Sequence, residues 1–357
     1  MIFYEDKKYS FWEMFNENNG TLIRSDVKGT KMDPYMRSFP ELIDIGVMGH
    51  CISGEKGLCK MAGIDCYQKG DETFHENMSL DDYKRIIDEA SGKTFQVALG
   101  GAGDPNKHEN FREMLCYTRL KGIVPNLTTS GYGLTEEETN LIGTYCGAVA
   151  VSFYSRLLGE RESNEITINA IKMFQGKITT NIHYVISRDS ISEAIYRLEN
   201  EMWPEGINAI IFLLYKPVGH GVKEKAILPR DALERFIDAA LSKKHKYAVG
   251  FDTCFTPVLF DYMNYIEINS IDSCEAARFS MYIDSMLNAY PCSFDNQKKQ
   301  YCVSMRDKTI AEVWNSDIFK RFRSVRCRAS NCLHEGVCYG GCGLELGINN
   351  GRSCRGR

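Results

Sequence analysis

From residue 41 to about residue 228, one pattern of apolar and polar positions recurs along the chain. A short apolar or β-branched run is followed by a turn and then by ten to fifteen residues with helical periodicity. The runs that have the length of buried strands are 42–48, 94–100, 122–128, 146–152, 178–186 and 207–214. Because parallel strands need crossovers of about a dozen residues, the pattern predicts an α/β fold with a parallel sheet that can curl into a full or partial barrel.

The helical segments between these strands carry recognisable start signals. Two of them have capping-box spacing: Thr135 with Glu138, and Ser190 with Glu193. Pro229 stands where a helix over 230–243 takes its first-turn proline.

The two ends of the chain differ from the repeating part. Residues 1–40 alternate aromatic and charged positions around the turn signal Asn18-Asn19-Gly20, which predicts a hairpin or a lid packed on the following domain. After residue 250 the composition changes, because nine of the 14 cysteines lie there. We therefore expect three units: an N-terminal extension over 1–40, a barrel over 41–245 and a small cysteine-rich domain over 246–357.

Charge and cysteine content narrow the class of protein. The net charge is −4 and the basic residues are dispersed, so no nucleic-acid partner is expected. The first residues lack the apolar region of a signal peptide and no later window has the length of a membrane span, which favours a cytoplasmic protein without a membrane partner. In a reducing compartment, clustered cysteines indicate metal binding rather than disulfides.

The first cysteine group follows the run 42–48. Cys51, Cys59 and Cys66 lie in a loop that also contains glycine and lysine. A loop at the end of a strand can bring three thiolates to three corners of an iron-sulfur cube. Alternatively, the three cysteines supply most of the ligands of a zinc site, or they are unpaired thiols.

Two later strand ends carry candidate ligand-binding residues. The run 94–100 continues into Gly100-Gly101-Ala102-Gly103-Asp104-Pro105. The glycines allow the backbone to approach a ligand and the carboxylate can attract an ammonium group, although the same residues suit a plain tight turn. Ser152 ends the run 146–152, where a hydroxyl can bind a ribose or a carboxylate or cap a helix.

The second cysteine group is the most specific feature of the chain. Its spacing is Cys327-x4-Cys332-x5-Cys338-x3-Cys342, with Cys354 after eleven further residues. Metal binding can supply the folding free energy that so short a segment lacks. Two four-cysteine zinc sites are the alternative, and iron-sulfur clusters are favoured when the loop of Cys51 is considered together with this ending.

Together these features resemble the radical SAM superfamily with a C-terminal SPASM domain, of the peptide-maturase type. The residues that carry the resemblance are the cysteine loop after the first strand, the Gly-Gly-x-Gly-Asp-Pro segment, and a seven-cysteine ending that includes Cys338-Tyr339-Gly340-Gly341-Cys342. The resemblance implies a partial (β/α)6 TIM-like barrel with a small cysteine-rich iron-sulfur domain. This sequence departs from the family in the spacing of the cysteine loop: seven residues separate Cys51 from Cys59 and six separate Cys59 from Cys66, instead of the usual three and two.

The resemblance also implies cofactors and ligands. Cys51, Cys59 and Cys66 would hold a 4Fe-4S cluster whose fourth iron binds S-adenosyl-L-methionine, and one electron would cleave that cofactor to methionine and a 5′-deoxyadenosyl radical. By the same likeness, the methionine amino group would meet Gly100, Gly101, Gly103 and Asp104, and the ribose would meet Ser152.

The SPASM pattern implies two auxiliary 4Fe-4S clusters, which makes three clusters in all. The outer cluster would be held by Cys327, Cys332, Cys338 and Cys354. The inner cluster would be held by Cys274, Cys292 and Cys342, with Cys254 preferred over Cys302 as the fourth ligand; if neither binds, one iron is open to a substrate thiolate. The family usually has a glycine where Leu287 stands. Cys116 and Cys146 are expected to be core residues.

Enzymes of this build mostly modify peptides, so the leading hypothesis is maturation of a ribosomally made precursor peptide through a thioether or carbon-carbon cross-link. The implied partners are that peptide and an electron donor such as flavodoxin or ferredoxin. One alternative is a sulfatase-type formylglycine maturase, although Ser293 stands where those enzymes carry an aspartate base. Another is a peptide epimerase with Cys302 as hydrogen donor. A zinc-stabilised binding module is the alternative without chemistry.

Overall fold

The structure is a computed structural model that describes residues 1–26, 34–154, 161–242, 244–262, 266, 270–325 and 341–344. Of the cysteines expected to bind metal, Cys327, Cys332, Cys338 and Cys354 lie outside the described residues. In the described part of the chain, no helix has the length and apolar composition needed to cross a membrane.

The strands of the described residues, in chain order, are β1 Ile2–Asp6, β2 Phe11–Phe15, β3 Leu22–Asp26, β4 Leu42–Met48, β5 Gln96–Gly101, β6 Val124–Thr129, β7 Ala148–Ser152, β8 Thr179–Ile186, β9 Ala209–Leu214, β10 Ala248–Phe251, β11 Ser280–Ile283, β12 Asn288–Tyr290 and β13 Val303–Ser304.

The α-helices are α1 Ile52–Glu55, α2 Leu58–Met61, α3 Leu80–Ala90, α4 Phe111–Leu120, α5 Glu136–Tyr145, α6 Arg161–Phe174, α7 Ile191–Glu199, α8 Lys223–Ala226, α9 Arg230–Leu241, α10 Thr256–Leu259, α11 Ile310–Trp314 and α12 Asp317–Ser324.

A 10-stranded sheet forms the centre of the molecule, in the order β10-β9-β8-β7-β6-β5-β4-β11-β12-β13. The strands from β4 to β10 are parallel, and helices connect most of them in the manner of β/α units. The six predicted strands are confirmed as β4 to β9, with bounds within two residues. The carboxyl ends of parallel strands lie at one edge, where ligand-binding loops are expected.

Alternation along each strand separates the two faces of this sheet. On β8, Ile182, Tyr184 and Ile186 are buried in the same core as residues of α7, whereas Asn181 and His183 are half-buried on the opposite face. Successive side chains of a strand point to opposite faces, so the half-buried positions line the concave interior of a partial barrel.

Helix starts show where local sequence decides the structure. The capping box of α5 is present: the Thr135 hydroxyl accepts from the backbone N–H of Glu138 at 3.2 Å, and the Glu138 carboxylate accepts from the backbone N–H of Thr135 at 2.7 Å. The helix predicted over 230–243 is α9, which Pro229 directly precedes.

The second predicted capping box, at Ser190 and Glu193, is wrong. The Ser190 hydroxyl makes no side-chain hydrogen bond to α7. It donates to the Val185 carbonyl at 2.7 Å and accepts from the backbone N–H of Ser187 at 2.8 Å. The hydroxyl therefore closes the turn before the helix, because a nearer backbone donor competes for it.

The N-terminal residues form an antiparallel sheet in the order β1-β2-β3, and the turn at Asn18-Asn19-Gly20 joins its second and third strands. Phe15 stacks on Phe95 at a centroid distance of 5.3 Å. Arg24 forms ion pairs with Glu41 and Glu275, the latter at 2.7 Å. These contacts confirm the predicted hairpin packed on the following domain.

The later residues join the same central sheet. Strand β11 pairs in parallel with β4, and β12 and β13 continue as antiparallel neighbours. In the turn between β11 and β12, Leu287 has φ +63°, a left-handed conformation that favours glycine. The domain limits at 40 and 245 stay predictions.

Candidate functional site

The three cysteines of the first loop lie beyond the end of β4. Cys51 is the N-cap of α1, and its sulfur accepts from the backbone N–H of Gly54 at 3.2 Å. Cys59 lies on α2, and the sulfur of Cys66 accepts from the backbone N–H of Gly70 at 3.4 Å. Burial raises the pKa of Cys51, and the hydrogen bond from Gly54 opposes this shift.

The three thiols lie close enough to interact electrostatically. The pKa of Cys59 is raised to about 12, first by burial and then by Cys51 and Cys66. Among the described residues, no three cysteine sulfurs lie within 4.8 Å of one another. A single tetrahedral zinc ion holds its sulfurs roughly 3.8 Å apart, given a Zn–S bond of about 2.3 Å. A cube offers a separate iron to each thiolate, so this donor set fits a cube better than one zinc ion.

Contacts from the loop after β9 hold the long cysteine loop in place. The Asp65 carboxylate accepts from the Tyr215 hydroxyl at 2.8 Å and from Lys225 Nζ at 2.6 Å. The Cys66 carbonyl accepts from the backbone N–H of His220 at 3.1 Å. The gaps of seven and six residues are therefore compatible with a defined position for Cys66.

Gly219 lies at the closest point of this contact. It has φ +66°, and a Cβ atom there would be 2.4 Å from the Tyr67 carbonyl oxygen and 2.6 Å from the Cys66 carbonyl oxygen. Since both neighbours are backbone atoms, a side chain at this position would separate the two loops.

The glycines at the end of β5 and directly after it serve first to pack two chain segments together. A Cβ atom at Gly103 would be 2.6 Å from the His50 carbonyl oxygen and 3.0 Å from the Cys51 Cα atom, and Gly101 has φ +124° with the Met48 backbone beside it. Gly100 has no atom within 4 Å of its added Cβ. Gly101 therefore packs against the end of β4 and Gly103 against the start of the cysteine loop, whereas Gly100 leaves space for a ligand.

Asp104 lines a cleft beside the first cysteine. Its carboxylate accepts from the backbone N–H of Ser130 at 3.0 Å, from the Ser130 hydroxyl at 2.6 Å and from the Thr129 hydroxyl at 3.3 Å. Burial raises the pKa of Asp104, while these hydrogen bonds oppose the shift. The cleft has a volume of about 200 Å³ and is also lined by Cys51 and Tyr132.

Ser152 ends β7 on the same side as the first thiols. Its hydroxyl is a hydrogen-bond partner of Tyr154, whose pKa is raised by burial and by Cys59. Tyr154 was not among the predicted site residues. The sequence signal that could have identified it is an aromatic residue two positions after Ser152, the polar residue that ends the strand.

The second group of thiols contains Cys254, Cys274, Cys292 and Cys342. The pKa of Cys254 is raised well above its usual value by burial; Lys216 opposes this, and Asp252, Cys342 and Cys274 add to it. Burial, Cys274 and Cys342 likewise raise the pKa of Cys292. The structure therefore brings Cys254 to the three cysteines of the predicted inner site.

Cys302 lies elsewhere in the described structure. Its side chain is a hydrogen-bond partner of Tyr290, whose hydroxyl donates to Asp284 at 3.0 Å. Burial raises the pKa of Cys302, and its main electrostatic neighbours are Asp284, Lys299 and Asp295. Cys146 is a core residue, as expected, although it is the C-cap of α5 and precedes β7. Cys116 lies on α4 but is half-buried beside Tyr145, so the expectation that it is a core residue is wrong.

Two titratable groups inside the barrel were not identified from the sequence. Asp44 is half-buried and alternates with the core residues Ile43 and Ile45, so it faces the concave interior. Burial and the nearby Glu275 raise the pKa of Asp44 to about 7. On β8, burial lowers the pKa of His183 to about 4, so this imidazole is neutral at pH 7.

The comparison with known proteins agrees with this arrangement. Residues 274–342 match the SPASM family, an iron-sulfur cluster-binding domain. The whole fold is similar to that of Streptococcus suis SuiB bound to S-adenosylmethionine, with a TM-score of 0.67 and 18% identity over 94% of this chain and 92% of that one. The chain shares the fold of SuiB and carries a SPASM match. The predicted fold class is thereby confirmed, and the SPASM match agrees with the resemblance drawn from the cysteine-rich ending.

Two further structures with this fold contain ligands that are named in their descriptions. SuiB bound to precursor peptide SuiA has a TM-score of 0.66 and 18% identity, over 94% of this chain and 92% of that one. Native anSMEcpe with bound AdoMet has a TM-score of 0.59 and 15% identity, over 85% of this chain and 89% of that one.

Proposed function

We propose that the chain is a radical SAM enzyme that matures a ribosomally made precursor peptide. The observation that carries this proposal is the placement of two thiol groups, one in the loop after β4 and one in the SPASM domain, around the carboxyl edge of one parallel sheet. SuiB, which shares this fold, has been crystallised with a precursor peptide. That structure supports a peptide as the substrate.

Three thiols in the first group match the needs of a cluster that keeps one iron free. Cys51, Cys59 and Cys66 would hold a 4Fe-4S cluster, and its free iron would bind S-adenosyl-L-methionine. When bound, the cluster and this cofactor supply a 5′-deoxyadenosyl radical that removes a hydrogen atom from substrate. The open face at Gly100 and the carboxylate of Asp104 would receive the methionine amino group.

The ribose end of the cofactor would lie at Ser152, beside Tyr154 and the first thiols. A small, half-buried hydroxyl at a strand end leaves room for a sugar and offers it a hydrogen bond. The barrel over 41–245 would hold this site and the domain over 246–357 would hold the auxiliary clusters.

In the SPASM domain, Cys254, Cys274, Cys292 and Cys342 would hold the inner auxiliary cluster. Four thiols occupy all four irons of a cube, so a substrate thiolate would not bind this cluster directly. The outer cluster would be held by Cys327, Cys332, Cys338 and Cys354, which gives three 4Fe-4S clusters in all. A flavodoxin or ferredoxin would supply the reducing electron.

The product we propose is a thioether or a carbon-carbon cross-link. A formylglycine reaction would need a carboxylate base near Cys292, and the first carboxylate after it is Asp295. Both oxygens of Asp295 are engaged by backbone N–H groups, those of Gln300 at 3.0 Å and Tyr301 at 2.7 Å. This engagement disfavours the formylglycine reaction.

The test uses the full chain, reconstituted anaerobically with iron and sulfide. Incubation with S-adenosyl-L-methionine and a reductant should yield 5′-deoxyadenosine, measured by liquid chromatography. Replacement of Cys51, Cys59 and Cys66 by alanine should abolish that yield, whereas Cys116→Ala, at a cysteine outside both groups, should preserve it. Equal yields from the two variants would contradict the assignment of the loop.

A further inference from the structure

One buried cation lies beside the thiols of the inner auxiliary site. Lys216 follows the end of β9 and is 7% exposed. Its Nζ atom donates to the carboxylate of Asp252, directly after β10. The other oxygen of that carboxylate accepts from the backbone N–H of Leu214 at 3.3 Å. This pair fixes the ammonium at the carboxyl edge of the sheet.

The ammonium lies near two of the four inner thiols. Its partner Asp252 stands two residues before Cys254. The Nζ atom also lies 4.8 Å from the ring centroid of Phe294, two residues after Cys292. Lys216 therefore faces the inner site from the barrel as the cationic member of a buried ion pair.

An aromatic pair connects this position to the first cysteine loop. The rings of Phe294 and Tyr67 have centroids 4.9 Å apart, and Tyr67 directly follows Cys66. The Tyr67 side chain is 37% exposed, so part of the ring borders open space. Lys216 thus lies on the side of the inner site that is connected to the first cysteine loop.

We propose that Lys216 raises the reduction potential of the inner auxiliary cluster. The inference rests on the proposed function, because it needs a cluster held by Cys254, Cys274, Cys292 and Cys342.

The physical reason is electrostatic. Reduction adds one negative charge to the cluster, and a buried cation beside two of its ligands stabilises that charge more than water would. Asp252 opposes this effect, because its carboxylate destabilises the added negative charge. The two members of the ion pair should therefore shift the potential in opposite directions, which a pair that only joins β9 to β10 would not do.

The experiment measures the midpoint potential of the inner cluster by redox titration followed by electron paramagnetic resonance. The reconstituted full chain carries alanine at Cys51, Cys59 and Cys66, so that only the auxiliary clusters contribute signals. The inner signal is the one lost when Cys274 and Cys292 are replaced. We expect a lower potential for Lys216→Met, a higher one for Asp252→Asn, and a value close to the parent for Lys216→Arg.

Lys177→Met removes a cation next to β8 at the opposite end of the strands and should leave the potential unchanged. If Lys216→Met fails to bind iron, the nearly isosteric Asp252→Asn still tests the sign of the effect. Unchanged potentials, or shifts in the same direction for both members of the pair, would overturn the role of Lys216 alone. Absence of any cluster signal in the parent chain would overturn the proposed function together with this inference.

Discussion

Replacement of Gly219 by alanine tests how the cysteine loop is held. The new Cβ atom would lie 2.4 Å from the Tyr67 carbonyl oxygen and 2.6 Å from the Cys66 carbonyl oxygen, in a residue with φ +66°. The left-handed conformation costs an alanine about 1 kcal/mol. Overpacking against backbone atoms that cannot rotate away costs about 1–3 kcal/mol more.

Gly63→Ala is the matched control for this change. Gly63 lies in the same cysteine loop with φ +63°, and nothing is within 4 Å of its added Cβ. It therefore carries the conformational cost without the steric one. The difference between the two variants isolates the contact between the loops, at about 1–3 kcal/mol.

Hydrogen–deuterium exchange of the backbone N–H of His220, which donates to the Cys66 carbonyl, measures this contact directly. A loss of about 1–3 kcal/mol from local stability corresponds to exchange roughly 5- to 150-fold faster in Gly219→Ala than in Gly63→Ala. Gly219→Ala should also retain less iron at the first site. Equal exchange rates in the two variants would refute the argument that this contact positions Cys66.

Three other predictions concern single residues. Gly103→Ala, whose Cβ atom would lie 3.0 Å from the Cys51 Cα atom, should lower the amount of iron bound at the first site. Gly100→Ala, which has no atom within 4 Å of its Cβ, should keep that iron and raise the KM for S-adenosyl-L-methionine. The reverse order, by iron analysis and kinetics, would contradict the packing described. Thr135→Ala removes the capping box of α5 and should cost about 1 kcal/mol in urea denaturation, and an unchanged midpoint would argue against it. For Asp44, the folded pKa of about 7 exceeds the usual 3.8, so the folded chain loses stability as the pH rises from about 4 to 7. Asp44→Asn should therefore raise the Tm at pH 8 and have little effect on it at pH 4. The gain in free energy of unfolding at pH 8 is at most about 4 kcal/mol, and it is smaller to the extent that water reaches the barrel interior. Equal changes in Tm at both pH values would show that burial does not destabilise the charged carboxylate.

Local sequence was sufficient to predict most strands of the barrel and the start of one of its helices. Strands β4 to β9 were predictable because buried parallel strands form continuous apolar runs bounded by turns. The start of α5 was predictable because both members of its capping box lie within four residues. The four-residue strand β10 was missed, since it contains Gly250 and is too short to show a period.

The site was only partly predictable, for physical reasons that differ between residues. Cysteine spacing identified which thiols are candidates for metal binding, because ligand type is written in the sequence. The approach of Lys216 to Cys254 and Cys292, and of Asp44 to Glu275, depends on how distant strands are placed side by side. Such contacts leave no local pattern, so they became visible only in the folded chain.

The most direct test of the account is the iron and acid-labile sulfide content of the anaerobically reconstituted full chain. We expect about twelve irons and about as many sulfides per chain, from three thiolate-held cubes. Replacement of Cys254, Cys274 and Cys292 together should lower both numbers by about four. A colourless protein that binds zinc and no sulfide would contradict the account.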